Sequence, residues 1–278
     1  MARTDPIMGN PGMQRPVIAI ISTGGTIARQ AVDPRDTVDY AEIGTSLGGG
    51  DLLAALPAAV RARFDVRGIP FSSCDSVEMT LPRWFELAGV ISHALATQPD
   101  LNGIVVTHGT SSLEEAACFL DLVLDVACPV VVVGAQRPAS AISADGPANL
   151  FAALLVASAP QAAGRGVLVV ANNEIHAAQE VTKASTYQLE TFRSPISGRL
   201  AWSRPIGSFW PHVRLPPAHW LARRLRRGRR NPARGYLLQP RRCRWRGHAC
   251  LCGGGGARPD FRGDAAGHVH TCRECGAG

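Results

Sequence analysis

Apolar positions along the first two hundred residues follow two patterns. Short continuous runs rich in valine and isoleucine recur at Val17 to Ser22, Ile104 to Val106, Pro129 to Gly134 and Gly166 to Ala171. Runs of that length, closed off by glycine or polar residues, predict strands buried on both faces. Between them the apolar residues return at helical spacing. Asp51 to Arg63 predicts a helix through Leu52, Leu53, Leu56 and Val60, and Pro82 to Ala96 another through Trp84, Leu87, Ala88 and Ile91. Pro82 suits a first helical turn. Ser112-Leu113-Glu114-Glu115 has the form of a capping box and predicts a helix from there to about Val126. A last helix is expected from Gly146 to Ala159. Buried strands alternating with amphipathic helices define an α/β fold, a doubly wound parallel sheet covered on both faces. No internal repeat is visible.

This grammar stops at Arg204. Residues 1–203 hold 13 Lys and Arg against 19 Asp and Glu, and residues 204–278 hold 16 against 3, so the net charge of +7 comes wholly from the last quarter. Five of the eight cysteines lie there too, beside an arginine block from Arg223 to Arg246 and the glycine run Gly253 to Gly256. A break that sharp marks a boundary. Three regions are expected: an N-terminal extension 1–16, an α/β domain 17–203, and an irregular basic tail 204–278. The composition of the tail is what GC-rich DNA yields in a wrong reading frame; a disordered basic tail is the alternative.

No apolar run approaches the 18 or so residues of a membrane span, and Met1 to Arg15 lacks the apolar stretch of a secretory signal. A cytoplasmic protein is expected, with export conceivable only if an upstream start were missing.

Candidate chemistry sits at strand ends. Thr23-Gly24-Gly25-Thr26 follows the first buried run and Thr107-His108-Gly109-Thr110 the second. A parallel sheet builds its site outside the carboxyl ends of its strands. A threonine hydroxyl there needs a nearby base and donors for a developing oxyanion, and glycine turns let backbone amides approach. The chain has one lysine, Lys183, among 28 arginines. His108 lacks a second ligand at i+3 or i+4 and reads as structural. Asp145-Gly146-Pro147 reads as a loop and helix start rather than a metal site. Gly48-Gly49-Gly50 lacks the Gly-Lys-Ser/Thr ending of a phosphate loop.

Five ordered strings resemble the bacterial L-asparaginases of the asparaginase/glutaminase amidohydrolase group: Thr-Gly-Gly-Thr-Ile-Ala at 23–28, His-Gly-Thr-x-x-x-Glu-Glu at 108–115, Val-Gly-Ala-Gln-Arg-Pro at 133–138, Ser-Ala-Asp-Gly-Pro-Ala-Asn-Leu at 143–150 and Val-Thr-Lys at 181–183. The resemblance implies hydrolysis of L-asparagine to aspartate and ammonia, with no metal or organic cofactor. It implies Thr26 as the nucleophile that becomes acylated, Tyr40 as its activating partner, and Thr110 with Lys183 as a second hydroxyl and its base. Ser76 would hold the substrate α-carboxylate and Glu78 would lie near its amine. A lysine in a desolvated setting suits the task because it can give up its proton.

Two departures stand out. The family usually has aspartate after the second threonine, where this chain has Ser111. Serine carries no charge, so recognition of an α-ammonium should weaken, and a related amidase or glutaminase with an altered substrate is the alternative. The family also has a smaller C-terminal α/β domain that supplies a glutamate and closes a neighbouring subunit's site in a homotetramer. Nothing after residue 204 resembles it, so the literal chain is expected to have little activity and an impaired assembly. The partner expected is a small-molecule amide; neither a membrane nor nucleic acid is. The rival reading is that Cys250, Cys252, Cys272 and Cys275, with His248, His268 and His270, bind zinc, or that the arginines beside Trp245 bind nucleic acid. The one-residue spacing of the first cysteine pair argues against zinc. A relic that binds amino acids without hydrolysis is a third reading.

Overall fold

The computed structural model of the 278-residue chain describes residues 14–38, 40, 45–69, 71, 74–204, 207–209, 242–245 and 248–251. The chain divides into two compact units, Met1–Gly228 and Arg229–Gly278.

The first unit begins with β1 (Val17–Ser22), a 3-10 turn at Thr26–Ala28, and the short strands β2 (Arg29–Gln30) and β3 (Thr45–Ser46). Helices α1 (Gly49–Ala54) and α2 (Ala58–Arg61) lead to β4 (Asp65–Ile69). Then come α3 (Leu81–Thr97), β5 (Gly103–Thr107), α4 (Leu113–Val123), β6 (Val130–Val133), α5 (Gly146–Ala157) and β7 (Val167–Ala171). The remaining strands are β8 (Glu174–Ala177), β9 (Thr182–Lys183), β10 (Phe192–Arg193), β11 (Ala201–Arg204) and β12 (Gly207–Phe209).

Eight strands form one sheet in the order β12-β11-β8-β7-β6-β5-β1-β4. The five from β4 to β7 are parallel, and β8, β11 and β12 extend one edge antiparallel. The parallel core and its helical cover are as the apolar runs predict. Side chains of β1 alternate between two cores. Ile18 and Ile20 pack with Leu52, Leu56, Leu150 and Leu154 beneath α1 and α5. Ala19 and Ile21 pack with Leu87, Ile91, Leu113 and Leu120 beneath α3 and α4. Burying one such Leu or Ile side chain contributes roughly 1.5–3 kcal/mol, so the two layers together hold the sheet.

Two helices differ from expectation. The span 51–63 is broken into α1 and α2 at Pro57, whose ring and missing N–H do not fit a helix interior. Ser112 precedes α4 but makes no side-chain cap; its hydroxyl donates instead to the carbonyl of Ser76. The capping-box reading is corrected by that competing acceptor, and α4 ends at Val123 rather than Val126.

Chain order among the parallel strands places the first between the second and third. From β1 the chain crosses to β4 on one side, then returns past β1 to β5 on the other. Loops leaving β1 and β5 therefore diverge and leave a crevice between them, the switch point where α/β sheets bind ligands. Both glycine-threonine strings lie in those loops.

The second unit contains an antiparallel pair, β13 (Arg242–Trp245) and β14 (His248–Leu251). Residues 1–13, and the 204–278 tail apart from 204, 207–209, 242–245 and 248–251, lie outside the described residues. So do Cys252, Cys272, Cys275, His268 and His270.

Candidate active site

Each threonine of the first string has its own task. Thr23 belongs to the backbone: its N–H and its hydroxyl both donate to the carbonyl of Thr107, at 3.1 and 3.0 Å, joining the ends of β1 and β5. Thr26 opens the 3-10 turn, and its hydroxyl lies 2.7 Å from the phenolic oxygen of Tyr40.

Glycines make the crevice narrow. Gly25 has φ +84°, a left-handed conformation that L side chains resist, and a Cβ there would collide with the Gly109 backbone. A Cβ on Gly109 would in turn lie 2.6 Å from Cβ and 2.7 Å from Oγ of Ser76. The loops carrying Thr26, Thr110 and Ser76 thus touch through the space where two side chains are missing. Cys74 N–H donates to the carbonyl of Thr23 at 3.0 Å, and Arg29 forms an ion pair with Asp75, tying the first and third loops again.

Thr110 is buried just ahead of α4, whose N-terminal end carries a positive partial charge. Lys183 Nζ donates to Thr110 Oγ1 at 2.8 Å, across 73 positions of sequence. The lysine is carried by β9, whose pairing with β10 sets Lys183 opposite the buried Phe192. Its backbone N–H donates to the Glu114 carboxylate on α4. Burial holds the amine below the ordinary lysine range, and Glu114 partly opposes that by favouring the charged form.

A further side chain, Gln136, completes the Thr110 pair. Its Oε1 accepts from the Thr110 hydroxyl at 3.2 Å. Its backbone N–H, and that of Arg137, donate to Asp145 at 3.0 and 2.9 Å. Asp145 is thus a loop anchor ahead of α5, as read from sequence. Nothing in the spacing of Gln136 marks its contact with Thr110, because the two are brought together by neighbouring strands.

Ser76 is buried and faces Gly109; Glu78 and Ser111 are exposed, in the same loops as Ser76 and Thr110. His108 is fully buried. Its Nδ1 donates to the Gly109 carbonyl at 2.9 Å, and burial lowers its basicity, which suits the structural role expected. No cluster of three or more metal-binding side chains occurs among the described residues. No helix among them is long and apolar enough to cross a membrane.

A cleft of about 590 Å³ lies elsewhere, at the antiparallel edge, lined by Glu174, His176, Glu190, Arg193, Ser194 and Trp202 among others. Its carboxylates are answered within it, Glu174 by Arg199 and Glu190 by Arg193 at 3.3 Å. None of the string residues lines it.

What the crevice assembles is two hydroxyls, one against a phenol and one against a desolvated amine. That set can activate a hydroxyl for attack on an acyl group and manage the proton afterwards.

Known proteins share this sequence and fold. Residues 17–211 match the family model described as asparaginase, N-terminal. The chain is 43% identical over 203 residues to a probable L-asparaginase 1 of Schizosaccharomyces pombe, covering 73% of this chain and 54% of that one. It is 43% identical over 183 residues to L-asparaginase 2 of Bacillus subtilis, covering 66% and 48%. Among solved structures, a probable cytoplasmic L-asparaginase from Campylobacter jejuni superposes with a TM-score of 0.68 at 35% identity, covering 72% of this chain and 60% of the other. The chain spans about half the length of the curated relatives it matches.

Proposed function

Because the chain belongs to the asparaginase family, through that family's N-terminal domain, we propose that it hydrolyses the side-chain amide of a small amino acid, L-asparagine first, to the acid and ammonia. Thr26 attacks the amide carbon and becomes acylated as ammonia leaves. The Thr26 hydroxyl proton is relayed through the Tyr40 phenol, which gives up its own proton as it accepts, to the amide nitrogen, so that the leaving group departs as ammonia. Water then attacks the acyl carbon and restores the Thr26 hydroxyl. Thr110 and Lys183 move the proton in the second half; burial lowers the lysine's hold on its proton, which makes that transfer easier. Ser76 holds the substrate α-carboxylate, with Glu78 and Ser111 at the amine end.

The observation that carries this reading is the juxtaposition of two hydroxyl pairs, Thr26 with Tyr40 at 2.7 Å and Thr110 with Lys183 at 2.8 Å, at the switch point of the sheet. Ammonia release from L-asparagine by the full chain tests it, at the low level expected where residues 204–278 do not resemble the family's C-terminal domain. Activity abolished by Thr26→Val and by Lys183→Met supports the reading; release indifferent to Thr26→Val contradicts it.

Ser111 favours a second reading, an amide lacking the α-ammonium, since this position offers a hydroxyl and no charge. Self-association and a cytoplasmic location are also proposed. The Campylobacter neighbour, described as probably cytoplasmic, supports the location, and a Haemophilus influenzae relative, described as a probable periplasmic L-asparaginase, speaks for the other compartment. Light scattering and cell fractionation decide these points.

A further inference from the structure

Gln136 sets the direction in which the Thr110 hydroxyl points. The amide of Gln136 can sit only one way round. On one side it faces the carbonyls of Ser185 and Gln188, at 3.4 and 3.3 Å. Carbonyls only accept, so the amide nitrogen must face them. The amide oxygen is then turned to Thr110. Thr110 has a single proton, and Gln136 receives it. What Thr110 offers Lys183 is therefore a lone pair, and Lys183 Nζ donates into it.

We propose that Gln136 is a positioning residue that holds the Thr110–Lys183 pair in its donor-to-acceptor polarity and so favours the charged lysine. Its importance for turnover rests on the proposed roles of Thr110 and Lys183; its effect on Lys183 does not. A hydrogen bond to the charged form of a group favours that form. Remove the Gln136 oxygen, and the Thr110 proton is free to turn to the lysine lone pair, which favours the neutral amine. Among the described residues, two carboxylates bear on the pair: Glu114 on α4 faces the Lys183 backbone, and Asp145, ahead of α5, is engaged with the backbone N–H groups of Gln136 and Arg137. Neither changes when Gln136 loses its amide.

The chain has one lysine, which makes the test direct. Full-length protein grown on lysine labelled with carbon-13 at Cε gives a single side-chain resonance, titrated by pH. Gln136→Met keeps the length and most of the volume of the side chain while removing both polar ends. The Lys183 midpoint should fall by about half to one pH unit, as expected for a neutral hydrogen bond reversed in direction. In a Thr110→Val background the same Gln136→Met change should move it by less than about 0.2 units, because the hydroxyl that couples them is gone. Should Gln136→Met leave the midpoint in place, or shift it equally with and without the Thr110 hydroxyl, the proposal is wrong. If Gln136→Met does not fold, as judged by circular dichroism, Gln136→Leu gives the same reading. The outcome is independent of turnover: a shifted Lys183 in a protein that releases no ammonia would sink the proposed function and leave this assignment standing.

Discussion

Gly109 offers the sharpest test of how the crevice is built. Its backbone is not left-handed, so alanine can adopt its conformation, and the effect of Gly109→Ala is one of contact alone. The added Cβ would stand 2.6 Å from Cβ and 2.7 Å from Oγ of Ser76, and 3.1 Å from the Cα of Gly25. Carbon atoms in contact settle at about 3.5–4.0 Å, so Ser76 must retreat by about 1 Å. Its loop has little room to do so: Ser112 holds the Ser76 carbonyl, and Arg29 holds the preceding Asp75. Overpacking of this size costs roughly 1–3 kcal/mol, and a displacement of about 1 Å in a positioning group lowers turnover by about a hundredfold. Urea unfolding and the kcat/KM for L-asparagine measure the two effects. Adding Ser76→Gly to Gly109→Ala removes the colliding atoms, so stability should return while activity does not. Native stability and kcat/KM within about twofold of the parent in Gly109→Ala would refute the packing argument.

Two other predictions concern charge. His176 is buried on β8, and desolvation lowers its pKa from 6.5 to about 4. The unfolded chain therefore binds a proton that the folded chain refuses. Stability is complete above about pH 6.5, declines as pH falls to about 4, and the loss attributable to His176 approaches roughly 3 kcal/mol. Urea midpoints across that window should flatten in His176→Asn; an unchanged slope would mean that other groups set it. Ser111 predicts a substrate effect: an amide lacking the α-amino group should be turned over about as well as L-asparagine, and Ser111→Asp should lower KM for L-asparagine alone. A parent chain that strongly prefers L-asparagine to the analogue would remove the case for an altered substrate.

Much of this fold is legible in the chain because parallel strands buried on both faces leave an unmistakable record. Val130 to Val133 and Val167 to Ala171 have no alternative use for so many branched side chains. The antiparallel edge is far less legible. In β8, Glu174 and His176 alternate with Ile175 and Ala177, too short and too polar a pattern to separate from a loop. The same holds for β4, an edge strand that includes Asp65, Arg67 and Gly68. At the site, the threonines are visible because they sit in glycine turns directly after buried runs. Gln136 is not, since its partners Ser185 and Gln188 lie about fifty positions away and meet it through β9 and its flanking loop. Nor is the Arg29–Asp75 pair, 46 positions apart, which ties the first loop to the one that carries Ser76.

Whether the alcohol at position 26 carries the acyl group is the central question. The full chain, mixed with L-asparagine or a more reactive ester of the same acid, acid-quenched within the first turnover and digested, answers it by mass spectrometry. The peptide containing Thr26 should gain the acyl mass, and Thr26→Val should show none. An adduct on Thr110 instead, or ammonia released with no adduct on Thr26 at any quench time, would contradict the assignment.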